Sequence, residues 1–283
     1  MDTTGSALLA DERLTETAPG PLEPPRTPEP PESLAPPGSP RPPELLEPAG
    51  PLGPLEPLAA RLRAAAEAGL SPALAPGLRA EGPGWYAASE LAAPTYHRLS
   101  ELVEEIRREQ EAPLHVAAAL WWKGFAYWTT FPVVMGWAIN RHVPLMTAEN
   151  TVLHSSPGEP RLRVGLGEPL AATGGAAELG AIIRETLLED LHAPIVEALH
   201  ALTRTGRRGL WGSTAEAFAH PLVSYARDLL DDPADAAATL LRSTGGPVTG
   251  LLETPSMRRR TCCLWVTLPG RDACSTCCAV RRG

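Results

Sequence analysis

All five cysteines of this 283-residue chain fall between Cys262 and Cys278, as Cys262-Cys263, ten residues, then Cys274-Ser275-Thr276-Cys277-Cys278. The rest of the chain has none. No disulfide framework can staple it, so it must be held by a hydrophobic core. Thiols gathered so closely at one end are there to hold something. Four thiolates around one centre point to structural zinc or to an iron–sulfur cluster.

The spacing favours the cluster. Zinc sites usually offer two C-x2-4-C knuckles, and only Cys274–Cys277 is one here. The other two cysteines are adjacent, and neighbouring side chains on an extended strand point to opposite faces. Cys262 and Cys263 would chelate one small ion awkwardly, yet they can grip a rhombic [2Fe–2S] core at two points. Between the pairs, Trp265, Val266 and Thr267 are strand formers and Pro269-Gly270 is a turn signal. A short strand and a turn are expected to fold the knuckle back onto the Cys-Cys pair. Cys278 is a fifth, spare thiol that could compete with Cys277. Zinc and a redox-active thiol pair remain as alternatives.

The pattern C-C-x10-C-x2-C, at Cys262, Cys263, Cys274 and Cys277, resembles the C-terminal motif of the FhuF-like ferric-siderophore reductases. A fainter resemblance lies upstream, in Leu191–Leu199 with His192 and Pro194, followed by Leu210-Trp211-Gly212. The resemblance implies a [2Fe–2S] cluster bound by those four cysteines. It also implies one-electron reduction of siderophore-bound Fe(III), so that iron leaves as Fe(II). A redox protein would supply the electron, and the helical domain would dock the ferric siderophore. Cys278 lies outside the family pattern. Two other functions are compatible with the residues: an iron–sulfur sensor, and a zinc-stabilised binding module without enzymatic activity.

A formal net charge of −8 argues against general nucleic-acid binding. Of the 25 basic residues all but Lys123 are arginines, a skew that weakens arguments from any single arginine. Around the cysteines, however, Arg258, Arg259, Arg260, Arg271, Arg281 and Arg282 face only Asp272. Such a local excess of cations could raise the potential of an anionic cluster or attract an anionic partner. No secretory signal pattern is visible at the N-terminus, and thiols that assemble a cluster need a reducing compartment, so a cytoplasmic setting is expected. The apolar run Pro113–Ile139 contains His115, Lys123, Gly124, Pro132 and Gly136. It is expected to form two core elements broken at Pro132 rather than a membrane span, which leaves room for peripheral membrane contact.

Residues 1–57 hold 16 of the 32 prolines, and this composition predicts a disordered tail. Residues 58–255 read as a mainly helical domain and 256–283 as the cluster-binding segment. Helical spacing marks 58–68 and 96–110, the latter with Leu99, Leu102, Val103 and Ile106 on one face. The period changes towards two near Leu162, Val164 and Leu166, and Ser155–Gly158 reads as a turn, so 149–166 is expected to be a β-hairpin. Helices resume over 176–192, again from Pro194, and over 234–242 before the loop Gly245-Gly246-Pro247. Ser213 and Glu216 have capping-box spacing, predicting a helix that opens there and runs to Leu230, kinked or split at Pro221. The fold class is α+β, mainly helical with a small β-hairpin.

Other residue groups carry weaker signals. Gly165 and Gly167 are followed by Leu170 where a dinucleotide fingerprint needs a third glycine, and there is no P-loop or H-E-x-x-H. Electrons must then come from a partner. His192 and His200 could share a helical side and ligate iron or move protons, although histidines more often serve structure. Glu189 and Asp190 read as a solvated helix face, and Trp121, Trp122, Trp128 and Trp137 as core.

Overall fold

The computed structural model describes residues 44–46, 52–67, 73–155, 162–254 and 256–279. In order, these form β1 (Glu44–Leu46), α1 (Glu56–Glu67), β2 (Leu74–Arg79), β3 (Trp85–Ala87), α2 (His97–Glu109), α3 (Leu114–Asn140), β4 (His142–Pro144), β5 (Thr151–Ser155) and β6 (Leu162–Leu166). They continue with β7 (Ala171–Thr173), α4 (Ala176–Ile183), a π-helical stretch (Arg184–His192), α5 (Ala193–Thr203), α6 (Arg207–Tyr225), α7 (Pro233–Thr244), β8 (Leu252–Glu253) and β9 (Arg258–Arg259). The α+β, mainly helical class is as expected.

The ordered body starts earlier than residue 58. Leu52 and Leu55 are buried, and Asn140 Nδ2 donates to the Pro54 carbonyl at 3.1 Å. The expected tail therefore gives up 52–57 to the helical body, and β1 pairs antiparallel with β7. The rest of the proline-rich segment lies outside the described residues.

The core is organised around α3, which packs chiefly against α6 and α2. Pro132 was expected to break this segment, but one helix runs through it. Proline costs a helix about 3 kcal/mol through its missing N–H and ring clash. Phe131, Val134, Met135 and Trp137 are buried around it, each contributing roughly 1.5–3 kcal/mol if the helix continues. Among the described residues no helix is long and apolar enough to cross a membrane.

The expected hairpin is present. β5 and β6 pair antiparallel from Thr151↔Leu166 to Ser155↔Leu162, with Leu153 and Val164 facing each other and fully buried. Its turn lies outside the described residues. They form the centre of a four-stranded sheet ordered β2-β6-β5-β3, in which β2 runs parallel to β6. β1, β7 and β4 make a second small sheet, and β8 with β9 a two-stranded ribbon. The amphipathic reading of α2 holds, with Leu99 and Val103 buried and Leu102 and Ile106 packed against the core. α7 starts on Asp232, whose Oδ1 accepts from the N–H groups of Ala234 and Asp235.

The two helices expected over 176–192 and from Pro194 are joined by a wider turn. The Ala193 N–H bonds back five residues to the Leu188 carbonyl. This π register relieves the clash that an α-helix would impose between the Pro194 ring and the Asp190 carbonyl. Asp190 is more than a solvated face, because its Oδ2 accepts the Ala148 N–H at 2.8 Å.

His192 ends the π stretch, fully buried against the rings of Trp122, Phe125 and Trp211. Thr129 spends its hydroxyl proton on the Phe125 carbonyl, so His192 Nε2 donates to the Thr129 oxygen at 2.8 Å. Nδ1 has no partner among the described residues, which fits a neutral ring. Burial pushes the His192 pKa down to about 3. His200 bonds instead to the Thr205 carbonyl at 2.9 Å, so the two histidines do not form a shared site. Because the His192 pKa is lower folded than unfolded, its contribution is complete above about pH 6.5 and is lost as pH falls towards 3. Between pH 6 and 4.5 the wild type should lose up to about 1.4 kcal/mol per pH unit from this residue. Urea denaturation across this range should show a shallower pH slope for His192→Gln; equal slopes would refute the assignment.

Candidate metal centre

The cysteine segment is built on the β8–β9 ribbon. Leu252 faces Arg259 across it, and the Arg259 N–H donates to the Thr276 carbonyl at 3.0 Å, which brings the knuckle back beside β9. Cys277 N–H bonds to the Cys274 carbonyl at 3.0 Å, so C-x2-C is a closed turn. The Pro269-Gly270 turn forms as expected, with Arg271 N–H on the Leu268 carbonyl and Gly270 at φ +69°. Trp265–Thr267 is not a strand but one 3-10 turn. Leu264 sits in the left-handed region, and the Thr267 N–H and hydroxyl both close onto its carbonyl, which no neighbouring strand competes for.

All five thiols are free. Cys263 and Cys277 are buried, while Cys262, Cys274 and Cys278 are half-buried. Cys262, Cys277 and Cys278 lie close enough for their charges to interact, and burial followed by these two neighbours raises the Cys278 pKa. Cys263 and Cys274 share the guanidinium of Arg259. Among the described residues no three His, Cys, Asp or Glu side chains converge as a site for a single metal ion.

Arg259 joins this segment to the helical body. Its side chain is fully buried. Nη1 lies 3.2 Å from Glu216 Oε2 and 3.3 Å from Ser213 Oγ, and Nη2 lies 3.4 Å from Cys274 Sγ. Glu216 Oε1 accepts the Thr276 hydroxyl at 2.5 Å, and Lys123 Nζ stands 3.8 Å from Oε2. Burial alone would lower the Arg259 pKa, but Glu216, Cys263 and Cys274 outweigh it and hold it high. Burial alone would raise Cys274, but the Thr276 hydroxyl, Arg259 and Lys123 hold it below an ordinary thiol.

Ser213 and Glu216 are therefore not a capping box. α6 already begins at Arg207 and continues through Pro221 to Tyr225. Its interior positions Ser213 and Glu216 are buried because Arg259 and Thr276 need partners there. The Leu210-Trp211-Gly212 step also has a physical role. Trp122 Nε1 donates to the Leu210 carbonyl at 2.8 Å. A Cβ on Gly212 would lie 1.7 Å from Thr261 Oγ1, so only glycine lets α6 approach the residue before Cys262.

The donor set fits a thiolate-bound cluster. Backbone N–H groups of Leu264 and Ala279 point at the sulfurs of Cys262 and Cys277 at 3.3 and 3.4 Å, and Arg259 points at Cys274. Arg259 Nε has no partner among the described residues, a buried donor that a bound anionic group could satisfy.

Two clefts meet at Cys274. The larger, about 550 Å³, lies between α2, α3, α6 and the cysteine segment, with Tyr127, Trp128 and Trp265 as aromatic walls and Lys123, Glu216, His220 and Cys274 as its chemistry. Trp121, Trp122 and Trp137 are core as expected, whereas Trp128 faces this cleft. His220 Nδ1 pairs with the Tyr127 hydroxyl at 3.1 Å. Burial lowers the His220 pKa and raises that of Tyr127, so both are neutral near pH 7. The smaller cleft, about 320 Å³, is lined by more polar groups than the larger and includes Glu253, Ser256, Arg258, Cys274 and Cys277. One sequence signal marks the larger cleft: Lys123 is the chain's single lysine, placed inside an apolar helix.

Comparison with family models finds no match to this chain, and comparison with curated proteins finds none either.

Gly212→Ala should cost roughly 1–3 kcal/mol by overpacking α6 against Thr261 and expose Cys263 to faster alkylation. Unchanged stability and unchanged thiol reactivity would contradict the close-approach role. Arg259→Gln should cost about 3–5 kcal/mol, because Glu216 stays buried without its cation. A double-mutant cycle with Glu216→Gln should show strong coupling, the double variant losing less than the sum. Additive losses would mean that the pair does not act as one unit.

Proposed function

We propose that this protein is a cytoplasmic ferric-siderophore reductase of the FhuF-like kind, with a [2Fe–2S] cluster held by Cys262, Cys263, Cys274 and Cys277. The observation that carries this reading is the position of Cys274, which belongs both to the thiol group and to the wall of the 550 Å³ cleft. A chelate seated there is one side chain away from the thiols. The preference for a two-iron rhomb over one zinc ion rests on the sequence spacing, an adjacent Cys-Cys pair with a single C-x2-C knuckle.

When bound, such a cluster supplies one-electron transfer. The proposed reaction adds one electron, drawn from a separate redox protein, to siderophore-bound Fe(III), which leaves as Fe(II). Hard oxygen chelators grip Fe(III) far more tightly than Fe(II), so the change of oxidation state loosens the iron. The protein's own residues prepare the site. Arg259 places a permanent buried cation against Cys263 and Cys274, which favours the more negative, reduced form of anything they bind. The aromatic walls make the cleft side of Cys274 largely apolar. The donor is taken to be a separate protein because the sequence carries no dinucleotide or flavin fingerprint. Cys278 lies outside the proposed ligand set.

Anaerobically purified protein should be red-brown, contain two irons and two sulfides per four cysteine ligands, bleach with dithionite and recolour with a ferric siderophore. Serine at Cys262, Cys263, Cys274 or Cys277 should abolish the intact cluster, and Cys278→Ser should retain it. A colourless protein with stoichiometric zinc, even after cluster reconstitution, would sink the proposal in favour of a structural module. An intact cluster that no ferric chelate reoxidises would leave an iron–sulfur sensor as the better reading.

A further inference from the structure

The proposed function leaves the chelate unnamed, and the 550 Å³ cleft limits its chemistry. Most polar groups in or beside the wall are already spoken for. The Tyr127 hydroxyl is paired with His220, and His220 Nε2 lies 3.3 Å from Ser224 Oγ. Gln110 Oε1 accepts from Arg271 at 3.1 Å. Glu216 is shared between Arg259 and Thr276. Two kinds of group remain available. One is aromatic surface, from Tyr127, Trp128 and Trp265. The other is positive charge. Lys123 has only a 3.8 Å contact to a carboxylate that already balances Arg259, and Arg271, although it donates to Gln110 and stacks 4.7 Å from the Trp265 ring centre, brings its charge to an exposed position beside the cleft.

We infer that the cleft selects an anionic, aryl-bearing ferric chelate, one whose iron is held by catecholate or phenolate oxygens. Flat rings are recognised by ring faces, which need no hydrogen-bond partners. The chelate's negative charge is met by Lys123 and Arg271. A neutral, aliphatic tris-hydroxamate uses neither, and its amide groups would find few free donors. This inference rests on the reductase reading, because it assumes that the ligand carries Fe(III).

Gallium(III) complexes test it without any electron transfer, since Ga(III) mimics the size and charge of Fe(III) but is not reduced. Two probes suffice: a linear tris-catecholamide and a linear tris-hydroxamate on the same polyamine backbone, titrated calorimetrically into the cluster-loaded protein. The catecholamide complex should bind at least about tenfold more tightly, the equivalent of roughly 1.4 kcal/mol. Lys123→Met and Trp265→Leu should each remove most of this preference. Arg271→Gln, at an exposed position, should weaken it several-fold and raise no folding concern. Equal binding, tighter hydroxamate binding, or no binding of either would overturn the inference. So would tight binding of riboflavin 5′-phosphate at the same residues, which would make this a flavin site. In each of those cases, reoxidation of dithionite-reduced protein by a ferric tris-hydroxamate would leave the reductase reading standing. Failure of every ferric chelate to reoxidise it would remove that reading whatever the gallium complexes do.

Discussion

The attachment of the cysteine segment to the helical body depends on one buried ion pair, Arg259 with Glu216. The segment is short, and the apolar side chains it packs against the core, Leu268 with Met257, Leu264 and Trp265, are few. Two-residue strands and isolated turns cannot order it, because each ordered residue costs roughly 1–2 kcal/mol of backbone entropy. Arg259 supplies what local structure lacks. From β9 it reaches α6 through Glu216 and Ser213, and the knuckle through Cys274. Thr276 closes the circuit from inside the C-x2-C turn onto the same carboxylate. A buried pair is a weak source of net stability compared with apolar packing. Its value here is geometric, since a guanidinium with fixed forked donors can hold two partners at defined angles in a way that leucine cannot.

The remaining contacts at this junction follow from that pair. Arg259 must lie close to α6, so α6 must offer a bare patch, and Gly212 beside Thr261 is that patch. α6 must itself be fixed, and it packs along α3, with Trp122 bonded to the Leu210 carbonyl. α3 then does two jobs with one periodicity. Trp122 and Phe125 are buried, while Lys123, Gly124, Tyr127 and Trp128 line the cleft. A helix with apolar residues nearly all round can be core on one side and binding surface on the other.

This division explains what could be read from the residues alone. Where one physical rule dominates, the reading was sound. Alternation marks β5 and β6, helical spacing marks α2, and Pro269-Gly270 makes its turn. The errors share a cause, namely that tertiary contacts overrode a local signal. Pro132 and Pro221 lie inside unbroken helices because burial around them outweighs the lost N–H. Ser213 and Glu216 match a capping box, but they serve a distant arginine. Trp265–Thr267 has strand propensity without a strand to pair with. The grouping of the cysteines was legible because spacing is local. Of the six nearby arginines, no local pattern distinguishes Arg259, which is buried, from exposed Arg260 and Arg271. The α6 partners of Arg259, Ser213 and Glu216, lie more than forty residues away, as the Ser213 bond shows with a separation of 46.

The two clefts that share Cys274 bear on how a reductase of this kind would work. An electron carrier has to meet its donor and its acceptor, and if both use one opening they compete. Here the thiol group is reached from two sides of different character. One side is aromatic, bounded by α2, α3 and α6. The other is the more polar of the two, bounded by the β8–β9 ribbon and Arg258. The aromatic side suits a compact chelate that must be desolvated. The polar side, with Cys277 in its wall, suits a protein surface that touches briefly and departs, since transient redox contacts are small and wet. Under the proposed function, donor and chelate could then occupy the protein together. Arg259, buried between the helical body and the thiols, contributes the same positive charge whichever cleft is filled.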